Sequence, residues 1–216
     1  AFAWCSRLEK IIIGSGSMLE SISKYSFEEC NNLQYNTYSN ASYLGNEDNP
    51  YVILVKADNQ KIRSCEIHSQ TKVISQSAFE GCGALKTVDF GEGIMSIGQW
   101  AFLDCSVLTS VKIPTTLTTV DYNAFSGCSA LKKVYIEDIE AWNNVNFDST
   151  YSSPLAYGAT LYLNDEKLTN LVFPEGITVI NSVAWRNCPT YQTITLPDTL
   201  VSVEGYAFNN CDGIIS

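Results

Sequence analysis

The chain has 216 residues, of which 45% are hydrophobic and 17% are charged, and its formal net charge is −10 at pH 7. The apolar content is sufficient for a sizeable core and argues against intrinsic disorder. The acidic excess argues against a nucleic-acid partner, and no apolar run approaches the roughly 18 residues of a membrane span. We therefore expect no nucleic-acid binding and no direct membrane insertion of this segment.

A short motif returns along the whole chain: a small residue, an aromatic residue, two further residues and a cysteine. The first copy begins at Ala1, and the copies end at Cys5, Cys30, Cys82, Cys105, Cys128, Cys188 and Cys211. The steps from 82 to 105, from 105 to 128 and from 188 to 211 are each 23 residues. A fixed period of this length is typical of solenoids, in which each repeat is one coil stacked on its neighbours.

A strand pattern with apolar residues at its first, fourth and sixth positions also recurs along the chain. In chain order, these frames begin at Leu8, Ile62, Leu85, Leu108, Leu131, Leu168 and Tyr191. Alternation at the last positions predicts short strands with one buried face. A second apolar pair, such as Ile94 and Ile97, predicts another extended piece on the opposite wall of the coil. Stacked in register, the frames predict a parallel sheet of about eight coils.

Two stretches interrupt the period, between Cys30 and Cys82 and between Cys128 and Cys188. We place inserts at about 34–61 and 139–167 and predict a β-hairpin in each. In the first, a strand at 51–55 turns at 58–60 towards the frame that begins at Ile62. In the second, a strand at 161–163 turns at 164–166. We treat 1–216 as a single solenoid and, because both ends lie within repeats, as a segment of a longer protein.

The residues that carry a family resemblance are Leu-x-x-Val-x-Ile-Pro, at 108–114, and the later Ala-Phe-x-x-Cys, at 124–128. Together they resemble the BspA-like, or Treponema-type, leucine-rich repeat, and the resemblance covers essentially all of the chain. It implies a β-rich, right-handed leucine-rich-repeat solenoid with a parallel concave sheet. It also implies non-catalytic protein binding, commonly adhesion by surface proteins to host or matrix components.

The seven repeat cysteines are expected to form a ladder of buried thiols. Equivalent side chains in successive coils point the same way, with Cβ atoms about 4.8 Å apart, whereas a disulfide requires about 3.5–4.5 Å. A single file of thiols does not supply the tetrahedral ligand set of zinc. Disulfides and zinc are the alternatives that this geometry disfavours. Cys65, which replaces an aliphatic residue of a strand, is predicted to be buried as well.

Catalysis is not indicated by any residue pattern in the chain. The single histidine, His68, follows Cys65 by three residues, which places the two on opposite sides of a strand. Neither a serine–histidine–aspartate set nor a glycine-rich phosphate loop stands out. We therefore expect no enzymatic activity and no cofactor.

The outward positions of the strand frames are rich in basic side chains. They hold Lys10, Arg63, Lys86, Lys112, Lys132 and Lys133, together with the apolar surface of Tyr135. Only three acids, Glu9, Glu66 and Asp89, occupy the same set of positions. The pattern predicts a locally positive face on an acidic molecule, which docks an acidic partner. The alternative is that the lysines keep an exposed sheet soluble.

The function that these observations favour is a non-catalytic protein-binding scaffold, an adhesin-type ectodomain at the cell surface or secreted. Its partner would be a host or matrix protein. The alternative is an intracellular scaffold that bridges filaments or components of a large assembly. Reduced thiols would suit that cytoplasmic or cytoskeletal location, because surface proteins meet oxidants.

Overall fold

The computed structural model describes residues 2–19 and 21–215. Ala1, with which the first motif copy begins, lies outside the described residues. The strands are β1 (Asn36–Tyr38), β2 (Ala41–Leu44), β3 (Ile53–Ala57), β4 (Ser64–Glu66), β5 (Val73–Ile74), β6 (Thr87–Asp89), β7 (Ser96–Ile97), β8 (Ser110–Lys112), β9 (Thr119–Val120), β10 (Lys133–Ile136), β11 (Asn146–Phe147), β12 (Thr160–Leu163), β13 (Glu166–Lys167), β14 (Asn170–Val172), β15 (Val179–Ile180), β16 (Thr193–Thr195) and β17 (Ser202–Val203). One α-helix, α1 (Ile139–Asn143), and two 3-10 helices, Lys24–Phe27 and Thr150–Ser152, complete the elements.

The chain coils between two walls whose central strands are parallel. One wall is a six-stranded sheet in the order β13-β12-β10-β8-β6-β4, and the other is a seven-stranded sheet in the order β1-β2-β3-β5-β7-β9-β11. From β4 to β9, successive strands alternate between the walls, so that each coil contributes one strand to each sheet. Further along, β14 pairs with β16 and β15 pairs with β17, again in parallel. The predicted leucine-rich-repeat solenoid with parallel sheets is confirmed.

The core between the walls is built from the same slots in every coil. The rings of Phe79, Phe102 and Phe125 form a stack, with centroids 5.0 and 5.1 Å apart and interplanar angles of 7°. Leu85, Leu108 and Leu131, which open three successive frames, are fully buried. Identical side chains therefore meet across adjacent coils, and the ring spacing gives the rise from one coil to the next.

The first insert contains a hairpin, but one made from different strands than predicted. β1, β2 and β3 form an antiparallel meander whose turn at Ser39 and Asn40 has φ of 43° and 67°, and β3 then pairs in parallel with β5. The predicted pairing of this strand with the frame at Ile62 is wrong, because β3 and β4 lie in different walls. Ile53 and Leu54 are both fully buried, as expected for a strand that is covered on both faces.

The first frame, which begins at Leu8, forms no strand among the described residues. The turn of the first insert lies along β4 at the edge of the six-stranded sheet. There, the side chain of Asn40 donates to the carbonyl oxygen of Ser64 at 3.0 Å, and the Glu66 N–H donates to the Ser39 hydroxyl at 3.0 Å. Residues 8–13 therefore do not extend the six-stranded sheet.

The second insert has the predicted hairpin, in which β12 and β13 pair antiparallel around Asn164 and Asp165. It also contains α1, which the sequence reasoning did not predict. The Asp138 carboxylate caps α1 by accepting from the Ala141 N–H at 2.6 Å. The indole of Trp142 donates to the Ala184 carbonyl oxygen at 2.9 Å, so that the helix is attached to the coil of β15.

Candidate binding surface

The outer face of the six-stranded sheet is the surface on which the predicted site residues converge. Each strand buries its central side chain, as Cys65, Val88 and Val111 do, and turns its neighbours towards solvent. The register aligns equivalent outward positions in adjacent strands, for example Glu66 with Asp89. The face is therefore a grid in which each row runs across the coils.

A basic row follows the amino-terminal ends of these strands; it consists of Arg63, Lys86, Lys132 and Lys133. Backbone hydrogen bonds connect this row from coil to coil through Thr109, which lies between Lys86 and Lys132: Lys86 N–H donates to Arg63 O, Thr109 N–H to Lys86 O and Lys132 N–H to Thr109 O, at 2.8, 3.2 and 3.0 Å. The four basic residues are exposed, and none takes part in an ion pair with any described residue. The basic row thus presents unpaired positive charge.

An acidic zone occupies the opposite ends of the same strands. Glu66 and Asp89 lie there, and Lys112 in the same row is held by two carboxylates, from Glu137 at 2.6 Å and Glu92 at 3.7 Å. The hydrogen bond to Glu137 raises the pKa of Lys112. Lys112 is therefore paired within the molecule and differs from the free cations of the basic row.

Two tyrosines whose rings are in tilted contact extend the face beyond β8. Tyr135 of β10 and Tyr162 of β12 are directly paired in the register, with ring centroids 4.9 Å apart, and the ammonium of Lys133 lies 5.7 Å from the Tyr162 ring. Sequence reasoning selected Tyr135 and missed Tyr162. The sequence contains a signal that could have identified Tyr162. Residues 161–163 repeat the apolar–tyrosine–apolar pattern of residues 134–136, so the two tyrosines occupy the same outward position in neighbouring strands.

An apolar groove runs beside the basic row, with Ala84, Val107 and Ala130 as its apolar floor. It is shallow and open to solvent, has a volume of about 530 Å³ and is also lined by Arg63, Lys86, Thr87 and Thr109. The Val107 side chain is 41% exposed. The groove was not predicted, because its three apolar residues lie in the turns that precede the strand frames.

The structure therefore brings together Arg63, Lys86, Lys132, Lys133 and Tyr135. Lys10 is not among them: it is exposed, but it belongs to the first frame, which lies outside the six-stranded sheet. The prediction that Lys10 shares this face is therefore wrong, and Lys112, which was also assigned to the positive face, lies on it but is paired with Glu92 and Glu137. The cations of the basic row lie at the amino-terminal ends of the strands, and Glu66 and Asp89 lie at the opposite ends of β4 and β6.

Six of the seven repeat cysteines are buried, and Cys5 is exposed, so its predicted burial is wrong. In the structure no described coil packs over Cys5, which lies in the first coil. Burial raises the pKa of Cys128 to about 12 and those of Cys82 and Cys211 to about 11. The thiol of Cys128 donates to the carbonyl oxygen of Phe102 at 3.2 Å. These thiols are packing groups that remain protonated at neutral pH.

Cys65 and His68 do not form a reactive pair. The thiol of Cys65 is buried and donates to the Ser39 carbonyl oxygen at 3.0 Å, and burial raises its pKa to about 12. The ring of His68 instead stacks on Tyr51, with centroids 4.1 Å apart. Within 2–19 and 21–215, no three histidine, cysteine or carboxylate side chains are grouped as metal ligands. The same residues include no helix with the length and apolar character needed to cross a bilayer.

Comparisons with known proteins agree with this architecture. The chain matches the model of the BspA type leucine-rich repeat region in six copies, over residues 1–47, 57–155 and 155–216. A leucine-rich repeat protein of T. pallidum is 18% identical, with a TM-score of 0.50, over 79% of this chain and 86% of that one. A leucine-rich repeat protein of Eubacterium ventriosum is 20% identical, with a TM-score of 0.53, over 96% of this chain and 54% of that one.

These two structures support the fold alone, because both identities are low. No curated protein matches the chain. The family model, in contrast, covers nearly every residue. The chain belongs to the BspA-type leucine-rich repeat family.

Proposed function

We propose that this chain is a non-catalytic recognition scaffold that binds an acidic protein partner through the outer face of its six-stranded sheet. The observation that carries the proposal is the basic row, in which Arg63, Lys86 and Lys132 are exposed and without ion-pair partners among the described residues, on a chain of net charge −10. Cations kept unpaired on one face of an acidic molecule favour the encounter and orientation of a complementary partner.

The scaffold supports such binding physically. Parallel strands with a continuous core hold the backbone of this face in one conformation, so little backbone conformational entropy is lost when a partner docks. Tyr135 and Tyr162 add half-buried aromatic surface of the kind enriched at interaction hot spots. The role requires no catalytic group, in keeping with a repeat family that typically serves as a scaffold.

We further propose that the scaffold acts as an adhesin-type ectodomain at the cell surface, where BspA-like repeats commonly bind host or matrix proteins. The competing location is the cell interior, which the eight free thiols favour. Antibody labelling of intact and of permeabilised source cells separates the two locations. Labelling of intact cells is expected, and labelling that requires permeabilisation would overturn the surface role.

The binding proposal is tested by charge reversal on protein arrays that carry purified matrix and cytoskeletal proteins. The sheet variant is Arg63→Glu/Lys86→Glu/Lys132→Glu. The matched control, Arg7→Glu/Lys56→Glu/Lys72→Glu, changes the net charge equally at exposed positions outside the six-stranded sheet. Partners of the wild-type protein should be lost by the sheet variant, kept by the control and weakened by salt. Equal binding by all three proteins would contradict the proposal.

A further inference from the structure

We propose that the element that docks on the basic row is an acidic amphipathic helix, lying across the strands with one apolar side chain in the apolar groove. This inference rests on the proposed function and specifies the partner's chemistry and geometry. It follows from three features of the surface: the spacing of its cations, the position of the apolar gap between them, and the negative charge on its far side.

The spacing of the cations matches the rise of an α-helix. Coils repeat every 5.0–5.1 Å at the stacked phenylalanine rings. Lys86 and Lys132 are two coils apart, and seven helical residues rise about 10.5 Å, which is close to that distance. Arg63 lies one coil before Lys86, a step that three or four helical residues span at about 4.5–6 Å. Carboxylates at i−4, i and i+7 therefore face the three cations together.

An extended segment does not stay in step with the coils. Side chains on one face of a strand repeat at about 6.6–6.8 Å, so the mismatch with the coil spacing grows by more than about 1.5 Å per coil. A helical turn of about 5.4 Å differs from the coil spacing by only about 0.4 Å. Over the three coil steps from Arg63 to Lys132, only the helix keeps its contacts aligned.

The coil between Lys86 and Lys132 lacks a cation and exposes apolar surface instead. Its position in the basic row is held by Thr109, and Val107 of the same coil is 41% exposed between Ala84 and Ala130. These two alanines leave room for a larger side chain above the valine. A leucine at i+3 of the helix lies on the same face as the carboxylates and fills this position.

The acidic zone keeps an acidic helix on one side of the sheet. Glu66 and Asp89 line the opposite strand ends, and Lys112 there is already paired with Glu92 and Glu137. A helix that carries several carboxylates is repelled from this zone and attracted to the basic row. The two charged zones therefore select an acidic helix and hold it over the amino-terminal ends of the strands.

The probe is a synthetic helix with Glu at i−4, i and i+7 and Leu at i+3 on an alanine and glutamine background. It is compared with two peptides: one of the same composition with these residues spread around the helix, and one that carries the same Glu and Leu residues at alternating positions and is kept from forming a helix by prolines in its background. Binding to the complete chain is measured by fluorescence anisotropy. We expect the patterned helix to bind at least about tenfold more tightly than either comparison peptide.

Variants of the chain locate the contact. Lys86→Glu/Lys132→Glu and, separately, Val107→Asp should each weaken the patterned helix by about tenfold or more, while Arg7→Glu/Lys72→Glu stays within about twofold. Thermal melts establish that each variant is folded. If all three peptides bind equally and Lys86→Glu/Lys132→Glu abolishes the binding of each, the partner is acidic but its contact is not specific to a helix, and the present inference is wrong. If Lys86→Glu/Lys132→Glu does not alter peptide binding, both this inference and the proposed function are wrong.

Discussion

The thiol of Cys105 donates a hydrogen bond to the carbonyl oxygen of Phe79 across 3.3 Å, one coil back along the solenoid. Cys211 makes the same contact with Trp185 at 3.2 Å. The aromatic residue and the cysteine that recur in each motif are therefore joined between successive copies. The same carbonyl of Phe79 also accepts from the Cys82 N–H at 3.0 Å, so the thiol adds a contact between coils to an existing turn.

Replacing Cys105 with alanine removes this contact and leaves a small void. We expect Cys105→Ala to lower the free energy of unfolding by about 1–2 kcal/mol, since the side chain is fully buried and loses both packing and a hydrogen bond. Cys5→Ala is the matched control, because Cys5 occupies the same motif slot but is exposed, and its effect should stay within about 0.5 kcal/mol. Urea unfolding provides the measurement, and equal losses at the two sites would contradict the role of the ladder.

Thiol reactivity should distinguish the same two environments. Cys5 is the exposed member of the eight free cysteines, and the other seven are buried. A chromogenic disulfide reagent should therefore modify one thiol rapidly in the native protein and all eight in urea. The Cys5→Ala variant should abolish the rapid phase. Rapid modification of several thiols in the native protein would contradict the burial of the other seven cysteines. Modification of fewer than eight thiols in urea would contradict the assignment of all eight cysteines as free.

Alkaline pH should weaken the fold through the buried thiols. Burial raises the pKa of Cys82 to about 11 and that of Cys128 to about 12, whereas an unfolded thiol titrates near about 8.5. The stability that the neutral thiols contribute is complete below the unfolded value and is lost as the pH rises through the folded values. The free energy of unfolding should be level up to about pH 8 and fall between about pH 9 and 11.

Urea titrations under reducing conditions measure this profile. Cys128→Ala removes one raised pKa, so its stability should fall less steeply with pH than that of the wild-type protein. A flat wild-type profile up to about pH 11 would show that these thiols are not protected as the structure describes.

The coil period was predictable because each slot recurs with the same side-chain type. The pairing of Lys112 was not, since its partners Glu92 and Glu137 lie in turns of neighbouring coils whose positions only the stacked structure defines. A strand was predicted at 51–55 and lies at Ile53–Ala57, but the wall to which it belongs was not predicted. The apolar pattern of a buried strand does not specify which strands pair with it. In the structure β3 pairs with β2 on one edge and with β5 on the other, and both belong to the seven-stranded sheet.

Close contact between coils should make Gly93 intolerant of a side chain. A methyl group there would overlap the carbonyl oxygen of Ser69 and lie 2.7 Å from that of Thr71, both in the preceding coil. Because backbone atoms of a packed coil cannot move independently, we expect Gly93→Ala to cost about 2–4 kcal/mol of unfolding free energy. Gly205→Ala has nothing within 4 Å and should cost less than about 1 kcal/mol. Thermal or urea unfolding tests the contrast, and similar losses would refute it.

Asn143, at the end of α1, is the polar centre of the joint between the second insert and the coils that follow. Its side chain is only 2% exposed; it donates to the Val179 carbonyl oxygen at 2.9 Å and accepts from the Trp185 indole at 3.0 Å. The backbone N–H of Asn181 also donates to it, at 3.3 Å. Asn143→Ala leaves the indole N–H of Trp185 and the carbonyl oxygen of Val179 without this partner, so we expect the free energy of unfolding to fall by about 2–4 kcal/mol.

The neighbouring Asn144 is exposed and provides the control, with Asn144→Ala expected within about 0.5 kcal/mol of the wild-type protein. Hydrogen exchange adds a regional test. Because Asn143 binds to the coil of β15, amide exchange in β14–β17 should accelerate in Asn143→Ala more than exchange in β6–β8. Uniform acceleration along the chain would mean that Asn143 stabilises the solenoid as a whole and does not specifically attach the coils beyond the second insert.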